Sequence, residues 1–415
     1  MHLRCLSSLF LLVACTRLAS ASPDVLSARL REAIATGGTY AANALLDPSG
    51  QSRCDYDLLT GQWAPYEPAW HTGQIILGLV EAHKITGDPH LLQRARDAGN
   101  WWISLEITDH PKLKGMVRAI HGAGINNIIF ATVSDGTAGL FALSRLTGDP
   151  RYADVSTRAG AWMLRHLYVP AQGVFYDAVD PDSGEVLTER SPFWPEKKQQ
   201  VLTDVARPNN EGSLYKDMYL HTGDTRYREV FLAVCDSLVA KQGPEGLWME
   251  FTPNDASRGR LHPRFNLWYA ESLLEGYELT RDPRYLAAAR RTLVFYTKLQ
   301  KKNGTIYYEN FLNGTATENS PSGSTVAFAG LLWLRLIQLG AGEGFEQPLE
   351  RSLQWVLANR YPATHPDPNL AGGFFNLRTS ARGPLLRLHH RDIGTAFALR
   401  FLAAYYHHVS ASAKP

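Results

Sequence analysis

The stretch "RLTGDPRYADVSTRAGAWM", residues 145–163, contains the tetrapeptide that decides the fold, Thr147 to Pro150. Glycine accepts the left-handed backbone conformation that ends many helices. Aspartate is a good residue to cap the next helix, and proline fits that helix's first turn. The tetrapeptide therefore predicts a tight connection between two helices.

The same pattern recurs along the chain, with copies roughly 60 to 75 residues apart. The copies begin at Thr86, Thr147, Thr222 and Thr280, and a degenerate one lies near residue 340. This spacing is long enough for two helices and a loop. The repeat predicts a series of helical hairpins.

The segment before each turn is more apolar than the segment after it. Residues 326–339, "VAFAGLLWLRLIQL", are apolar almost all round, whereas residues 284–298 place Arg290 and Arg291 opposite Leu293 and Phe295. A helix that is apolar all round is buried, and an amphipathic helix covers it. The pattern predicts an inner and an outer layer of helices.

Six helices of the inner type can be counted, and six of the outer type. The inner helices are predicted to begin near Trp70, Ser134, Asn210, Asn266, Ser324 and Asp392; the outer ones are Asp24 to Leu45 and those that follow turns near residues 88, 149, 224, 282 and 343. An open helical solenoid is the alternative, but the unpaired first and last helices favour closure. We predict an all-α (α/α)6 toroid in one domain, residues 22–415.

This arrangement resembles the alpha/alpha toroid superfamily, the six-hairpin glycosidases, over nearly the whole chain. The resemblance implies carbohydrate chemistry. It does not select the reaction, because hydrolases, uronate lyases and sugar epimerases share the fold.

The first 21 residues read as a signal peptide. Arg4 precedes an apolar run from Leu9 to Ala14, and Ala19 to Ala21 form a small-residue cleavage site. The run is too short to span a bilayer. We expect secretion; the alternative is a lipoprotein anchored through Cys15, because Leu12 to Cys15 resemble a bacterial lipidation motif.

Composition excludes several classes of partner. The chain has 415 residues, 45% of them hydrophobic, and a net charge of +2. Such a balance gives no basic surface for nucleic acid or anionic lipid. Asn303 and Asn313 begin glycosylation sequons, which matter only in a eukaryotic secretory pathway.

Only Cys54 and Cys235 remain after the leader, enough for one disulfide at most. A zinc site built on cysteines is therefore excluded. We predict no cofactor and no metal, although loop carboxylates such as Asp180 and Asp182 leave calcium binding open.

Long connections are expected on one face of the ring, where the inner helices begin. They cover residues 106–133, 168–208, 241–265, 300–323 and 359–391. Binding sites usually lie on such loops, and the positive ends of the inner helices favour an anion such as a sugar carboxylate. We expect the site on this face.

Polar and aromatic residues cluster at the predicted starts of the inner helices. They include Trp70, His71, Asp135, Arg207, Asn209, Asn210, Glu211, Arg264, Asn266, Trp268, Tyr269, His390 and Arg391, with His121 in a loop. Asp135 or Asn209 alone is as well explained by helix capping. Five or six such clusters exceed what capping requires, so we expect them to converge on a central cavity that binds an acidic oligo- or polysaccharide.

The favoured reaction is β-elimination of a uronate, as in alginate or glucuronan. Arg264 would neutralise the carboxylate as the enolate-like anion forms, and Tyr269 would move the proton. His121, Glu211 and Asp135 complete the predicted catalytic set. The substrate-binding set is Arg207, Asn209, Asn210, Asn266, His71, Trp70, Trp268, His390 and Arg391.

The alternative is glycoside hydrolysis by Asp135 and Glu211. Residues 133–149, "VSDGTAGLFALSRLTGD", resemble the Asp-Gly opening of unsaturated uronyl hydrolases. The Arg-Gly-Asn-Gly-Trp signature of the rhamnogalacturonyl type is absent, as is a clear His-Asp-Xaa-Gly-Phe. A sugar epimerase, which needs two histidines, and a non-catalytic carbohydrate-binding protein are the less favoured options.

Overall fold

The computed structural model describes residues 23–122, 124–382 and 385–412. The predicted leader, with Cys15, lies outside these residues. The helices of the described ranges are α1 (Pro23–Tyr40), α2 (Pro68–Thr86), α3 (Pro89–Ile103), α4 (Phe130–Thr147), α5 (Arg151–Leu167), α6 (Leu202–Val205), α7 (Leu214–Thr222), α8 (Thr225–Lys241), α9 (Phe265–Thr280), α10 (Pro283–Leu299), α11 (Gly323–Gln338), α12 (Glu346–Ala358) and α13 (Ile393–Ser412). A π-helical turn, Ala41–Leu45, extends α1, and a 3₁₀ turn, Glu211–Ser213, precedes α7.

The long helices form a closed double ring. Helices α2, α4, α7, α9, α11 and α13 are the inner layer, and α1, α3, α5, α8, α10 and α12 cover them. Helix α13 packs against α11 and α2, and α1 packs against both α13 and α2. The two ends of the chain therefore close the ring, which confirms the predicted (α/α)6 toroid.

The tight turns have the predicted construction. Gly87 ends α2 at φ 74°, in the left-handed region, and the Asp88 carboxylate accepts a hydrogen bond from the His90 backbone N–H at 2.9 Å. The fourth turn lacks the glycine, and Arg281 takes the left-handed conformation there at φ 60°. A non-glycine residue pays a small conformational cost in this region, so the turn keeps its shape without the consensus residue.

The connections that lead into the inner helices contain short strands that the helical pattern did not predict. The strands are β1 (Asp55–Asp57), β2 (Gln62–Ala64), β3 (Ile120–Gly122), β4 (Ile125–Ile129), β5 (Tyr168–Val169), β6 (Val174–Tyr176), β7 (Ala178–Val179), β8 (Ala206–Arg207), β9 (Arg260–Leu261), β10 (Tyr307–Phe311), β11 (Ala316–Pro321), β12 (Leu377–Arg382) and β13 (Leu385–Arg391). They form small antiparallel sheets in the orders β12-β13-β1-β2, β11-β10-β9, β3-β4-β7 and β5-β6-β8. Strand pairing satisfies the backbone polar groups of these connections.

The first sheet ties the start of the chain to its end. Strand β1 pairs with β13 so that Asp55 lies opposite Arg391. This pairing places the segment before α13 over the ring, beside the start of α2.

The two cysteines are both buried free thiols, so the single disulfide that the sequence allowed is not formed. The thiol of Cys235 contacts the side-chain amide of Asn210. Among the described residues, no helix has the length and apolar character needed to cross a membrane.

Candidate functional site

A cavity of about 270 Å³ opens at the end of the ring where the inner helices begin. This is the face on which the long connections were expected. Its walls include Tyr66, Glu67, Trp70, His121, Thr132, Asp135, Phe193, Arg207, Glu211, Arg260, His262, Arg264, Phe265, Trp268, Tyr308, Arg378 and Arg391.

The structure brings part of the predicted set to this cavity. His121, Asp135, Glu211 and Arg264 of the predicted catalytic residues line it, as do Trp70, Arg207, Trp268 and Arg391 of the predicted binding residues. Tyr269, His71, Asn209, Asn210, Asn266 and His390 do not line it. These six side chains are buried in the surrounding protein.

Tyr269 is placed differently from the role predicted for it. Its ring packs against Phe265 and, edge-on, against Trp248, with centroids 4.5 and 5.2 Å away. The hydroxyl is buried without a hydrogen-bond partner among the described residues. Burial raises the pKa of this hydroxyl well above its ordinary value. A base needs access to the substrate and a lower pKa, so this placement does not suit proton abstraction.

The predicted asparagines act as structural hydrogen-bonding groups. Asn266 accepts from the backbone N–H of Trp248 at 3.0 Å, and Asn210 donates to the Phe231 carbonyl at 3.0 Å. Asn209 accepts from a backbone N–H two residues on, as a helix-start residue does. Helix capping therefore accounts for Asn209 alone, whereas Asn210 and Asn266 bind the backbone of neighbouring segments.

Two of the three predicted histidines, His71 and His390, do not line the cavity. His71 is hydrogen-bonded through Nδ1 to Asp392 at 2.6 Å, which joins the first inner helix to the last. His390 packs edge-on against Tyr361. Burial lowers the pKa of His390 to about 4, so this ring is neutral at physiological pH.

Asp135 and Glu211 form a hydrogen-bonded carboxyl pair in the cavity wall. Burial raises the pKa of Asp135 well above its ordinary value, and the nearby Glu211 raises it further. Burial also raises the pKa of Glu211 to about 7, although Arg207, 3.2 Å away, opposes this. Asp135 is therefore the member of the pair that favours its protonated form, and it faces Glu211.

A second acidic group, Glu67, lies in the same cavity. It forms an ion pair with His121, and the Tyr66 hydroxyl lies 3.4 Å from the Nε2 atom of that histidine. Burial alone would raise the pKa of Glu67, but His121 lowers it below its ordinary value. Glu67 is therefore a carboxylate at neutral pH, in contrast to the pair formed by Asp135 and Glu211.

Arginines form another part of the wall, and two of them are buried with unused donor atoms. Arg264 donates to Ser324 at 2.9 Å, but its Nε has no partner among the described residues. Arg391 binds Asp55 through Nε at 2.9 Å and leaves Nη2 without a partner. Burial lowers the pKa of Arg264 to about 10, and the positive charge of the neighbouring Arg391 also lowers it. These N–H groups are suited to an anion.

Tyr308 and His262 lie among the same arginines, and neither was predicted as a catalytic or binding residue. Arg378 lies over the Tyr308 ring at 4.9 Å, and Arg391 donates to the Tyr308 hydroxyl at 3.3 Å. Burial would raise the pKa of Tyr308, but Arg378 and Arg391 lower it to about 8. Burial and Arg264 lower the pKa of His262 well below its ordinary value, so His262 is neutral.

One cluster in the described ranges has metal-ligand types: Cys54, His71 and Asp392, whose ligand atoms lie within 4.8 Å of one another. Asp392 already accepts hydrogen bonds from His71 and, at 2.5 Å, from Ser52. The thiol of Cys54 donates to the Ser52 carbonyl at 3.7 Å. These hydrogen bonds link the three residues to one another through Ser52, and none of the three lines the cavity.

Comparisons with known proteins agree with the fold. Residues 55–243 match the family model described as beta-L-arabinofuranosidase, GH127 catalytic domain. A search of curated protein sequences found no match.

Three solved structures illustrate the range of proteins that share this architecture. An unsaturated glucuronyl hydrolase from Bacillus sp. GL1 is 13% identical, with a TM-score of 0.64 over 92% of this chain and 98% of that chain. A cellobiose 2-epimerase from Spirochaeta thermophila is 14% identical, with a TM-score of 0.67 over 94% and 97%. A D-mannose isomerase is 12% identical, with a TM-score of 0.65 over 95% and 99%. The TM-scores over nearly the whole chains show the six-hairpin glycosidase-like fold, and the family match indicates a carbohydrate-active enzyme.

Proposed function

We propose that this toroid is a hydrolase that removes an unsaturated uronate from the end of a glycan. One observation carries the proposal: two buried carboxyl groups, Asp135 and Glu211, line the same cavity as two buried arginines with unused N–H groups. The match to a glycosidase family model also supports a hydrolase.

The closeness of the two carboxyl groups favours this substrate over an ordinary glycoside. Acid and base must flank an ordinary glycosidic bond, with their carboxyl groups roughly 5 to 9.5 Å apart. Asp135 and Glu211 instead share a hydrogen bond. Addition of water across a ring double bond places a proton and an oxygen on neighbouring carbons, so it suits an acid and a base that lie side by side.

The reaction would proceed by hydration. Asp135 gives its proton to C4 of the C4–C5 double bond, which leaves a cation at C5 that the ring oxygen stabilises. Water bonds to C5 while Glu211 takes one of its protons, so the pair again holds one proton. The resulting hemiketal opens by breaking the bond between C5 and the ring oxygen. The hemiacetal left at C1 then collapses and releases the rest of the glycan.

The arginines would bind the carboxylate that C5 carries. Arg264 and Arg391 are both about 1% exposed, so their charges have lost their hydration. A buried charge without a partner is costly, and a substrate carboxylate would supply the missing partner of Arg264. Binding would thus be selective for acidic sugars.

Elimination remains the second candidate because of Tyr308. Its hydroxyl lies in the cavity beside Arg391, and its pKa is lowered to about 8, so it suits a general base better than Tyr269 does. In this version a polyuronate would be cleaved and a new double bond formed. We also propose that the protein is secreted, as its leader predicts, with anchoring through Cys15 as the alternative.

Ultraviolet absorbance distinguishes these reactions. The purified chain, residues 22–415, would be incubated with unsaturated uronyl disaccharides and, separately, with intact polyuronates. We expect the absorbance of the disaccharides to fall. A rise with a polyuronate would instead support elimination. Activity confined to an aryl β-L-arabinofuranoside would contradict both proposals and favour the activity named by the family model.

A further inference from the structure

A second, smaller pocket of about 160 Å³ lies farther along the inner helices, toward the tight turns. Trp268 contributes to the walls of both this pocket and the cavity. Asp135 lines the cavity, whereas Ala138, one helical turn later on α4, lines the second pocket. The carboxyl pair therefore lies between the substrate cavity and the second pocket.

A chain of hydrogen bonds links the second pocket to Asp135. Arg400 on α13 binds Glu271 on α9 at 2.8 Å and donates to the Gln74 side chain at 3.2 Å. Gln74 in turn donates to the backbone carbonyl of Asp135 at 2.7 Å. The chain joins four inner helices around the ring axis and fixes where Glu271 and Arg400 lie relative to Asp135.

We propose that Glu271 and Arg400, an ion pair outside the substrate cavity, set the charge of Asp135 from behind and so act as positioning residues for its proton. The inference rests on the proposed hydrolase function for its catalytic meaning. The claim that this ion pair controls whether Asp135 is charged does not depend on that function.

The charges around Asp135 explain why the pair matters. Burial raises the pKa of Asp135 most, Glu211 and then Glu271 raise it further, and Arg400 lowers it. Glu67, before α2, faces Glu211 and acts through it.

Farther down the same helices, the remaining charges are paired with one another. Arg145 of α4 pairs with Asp217 of α7, and Lys216 pairs with Glu275 of α9. Glu271 and Arg400 are therefore the charges from the second pocket that bear on Asp135 most directly.

The two members of the ion pair have opposite expected effects. Glu271→Gln leaves the charge of Arg400 without its partner, so the pKa of Asp135 should fall by roughly one unit. Arg400→Gln leaves the charge of Glu271 and should raise that pKa by a similar amount. Arg400→Lys keeps the positive charge, so the pKa of Asp135 in this variant should stay close to that in the parent protein. A purely structural role would not give opposite signs.

The test is a titration of carboxyl groups by ¹³C NMR on protein labelled at aspartate, with Asp135→Asn to assign the signal. Glu275→Gln is the matched control, because it lies one helical turn beyond Glu271 in the same pocket but pairs with Lys216 and Arg335. Thermal melts check that each variant is folded. Where the enzyme is active, the pH profile of kcat should shift with the titration.

Opposite shifts in Glu271→Gln and Arg400→Gln, with little change in Glu275→Gln, support the inference. No shift in either variant, or shifts of the same sign, overturn it. Because the titration needs no substrate, failure of the proposed hydrolase activity would leave this test intact. If the expected pKa shifts are absent but the hydrolase activity is present, only this inference is wrong.

Discussion

The two ends of the ring treat buried charge in opposite ways. At the cavity end, Arg264 and Asp135 keep polar atoms without partners among the described residues. Toward the tight turns, Glu275 binds Lys216 and also lies 3.5 Å from Arg335. Both sets lie on or directly before inner helices: Arg264 precedes α9, and Glu275 lies on it. Pairing stabilises the end near the tight turns, whereas pairing at the cavity end is incomplete and leaves some groups free to bind and react.

This comparison predicts that substitutions in the cavity mainly change activity, whereas substitutions near the tight turns mainly change stability. Substitution of an unpaired group in the cavity removes a desolvation cost together with a function. Substitution of a paired group near the turns leaves its partner's charge buried without an opposite charge beside it. The predictions below test this separation, beginning with the largest effect.

Asp135→Asn should reduce kcat on an unsaturated uronyl disaccharide at least about 10³-fold, because general acid catalysis is lost. The free energy of unfolding should stay the same or rise, since a buried carboxyl pair is replaced by a neutral hydrogen bond. Absorbance kinetics and urea denaturation measure the two quantities. If activity persists in both Asp135→Asn and Glu211→Gln, this carboxyl pair is not the catalytic centre.

Glu275→Ala should have the reverse profile. Removing this carboxylate leaves Lys216 and Arg335 buried without it, which should cost about 3 kcal/mol of unfolding free energy. Turnover should change little below the melting transition. Glu278→Ala is the control, because Glu278 binds Arg335 but is more exposed, with 40% of its side-chain surface accessible. Equal loss in both variants would contradict the importance of burial.

Arg264→Gln should separate binding from stability within the cavity itself. Loss of a charged hydrogen bond to the substrate carboxylate should raise KM about 100-fold. The melting temperature should not fall, because a buried guanidinium without a carboxylate partner is removed. Arg94→Gln is a contrasting control, since Arg94 pairs with Asp97 away from the cavity. A stability loss in Arg264→Gln as large as in Glu275→Ala would undo the comparison.

The scaffold follows from the sequence because its determinants are local. A turn such as Thr86 to Pro89 needs only neighbouring residues to form, and each helix's apolar character selects its layer. Arg281 shows that the pattern survives loss of the glycine. The strands in the long connections were missed because their partners are distant in sequence, as Asp55 and Arg391 are.

The site follows from the sequence only in part. Arg264, Trp268 and Glu271 follow the i, i+4, i+7 spacing of one helical face. Each of them lines the cavity, the second pocket or both. Tyr269 is one residue off this spacing, which could have separated it from the site. Tyr308 had no such signal, because it lies on a strand whose register is fixed only by tertiary pairing.

The His71–Asp392 pair closes the ring between α2 and α13 and predicts a dependence of stability on pH. Burial opposes charge on His71, but Asp392 raises its pKa to about 10, above the 6.5 expected when unfolded. The stabilisation should be complete below pH 6.5 and be lost progressively as the pH rises toward about 10. Urea denaturation at several pH values measures it. His71→Asn should flatten this dependence, and an unchanged slope would show that another group causes it.

The smallest effect is expected for Tyr269→Phe, which tests the boundary of the cavity. The hydroxyl is buried and makes no hydrogen bond among the described residues, so its removal should leave kcat within about twofold and unfolding free energy within about 1 kcal/mol. Tyr308→Phe is the matched variant, since Tyr308 lies in the cavity and accepts a hydrogen bond from Arg391. We expect a larger loss of activity there than in Tyr269→Phe. Loss of turnover in Tyr269→Phe alone would place the proton-transfer group behind the wall that Phe265 and Trp268 form, and would restore elimination by Tyr269 as the leading mechanism.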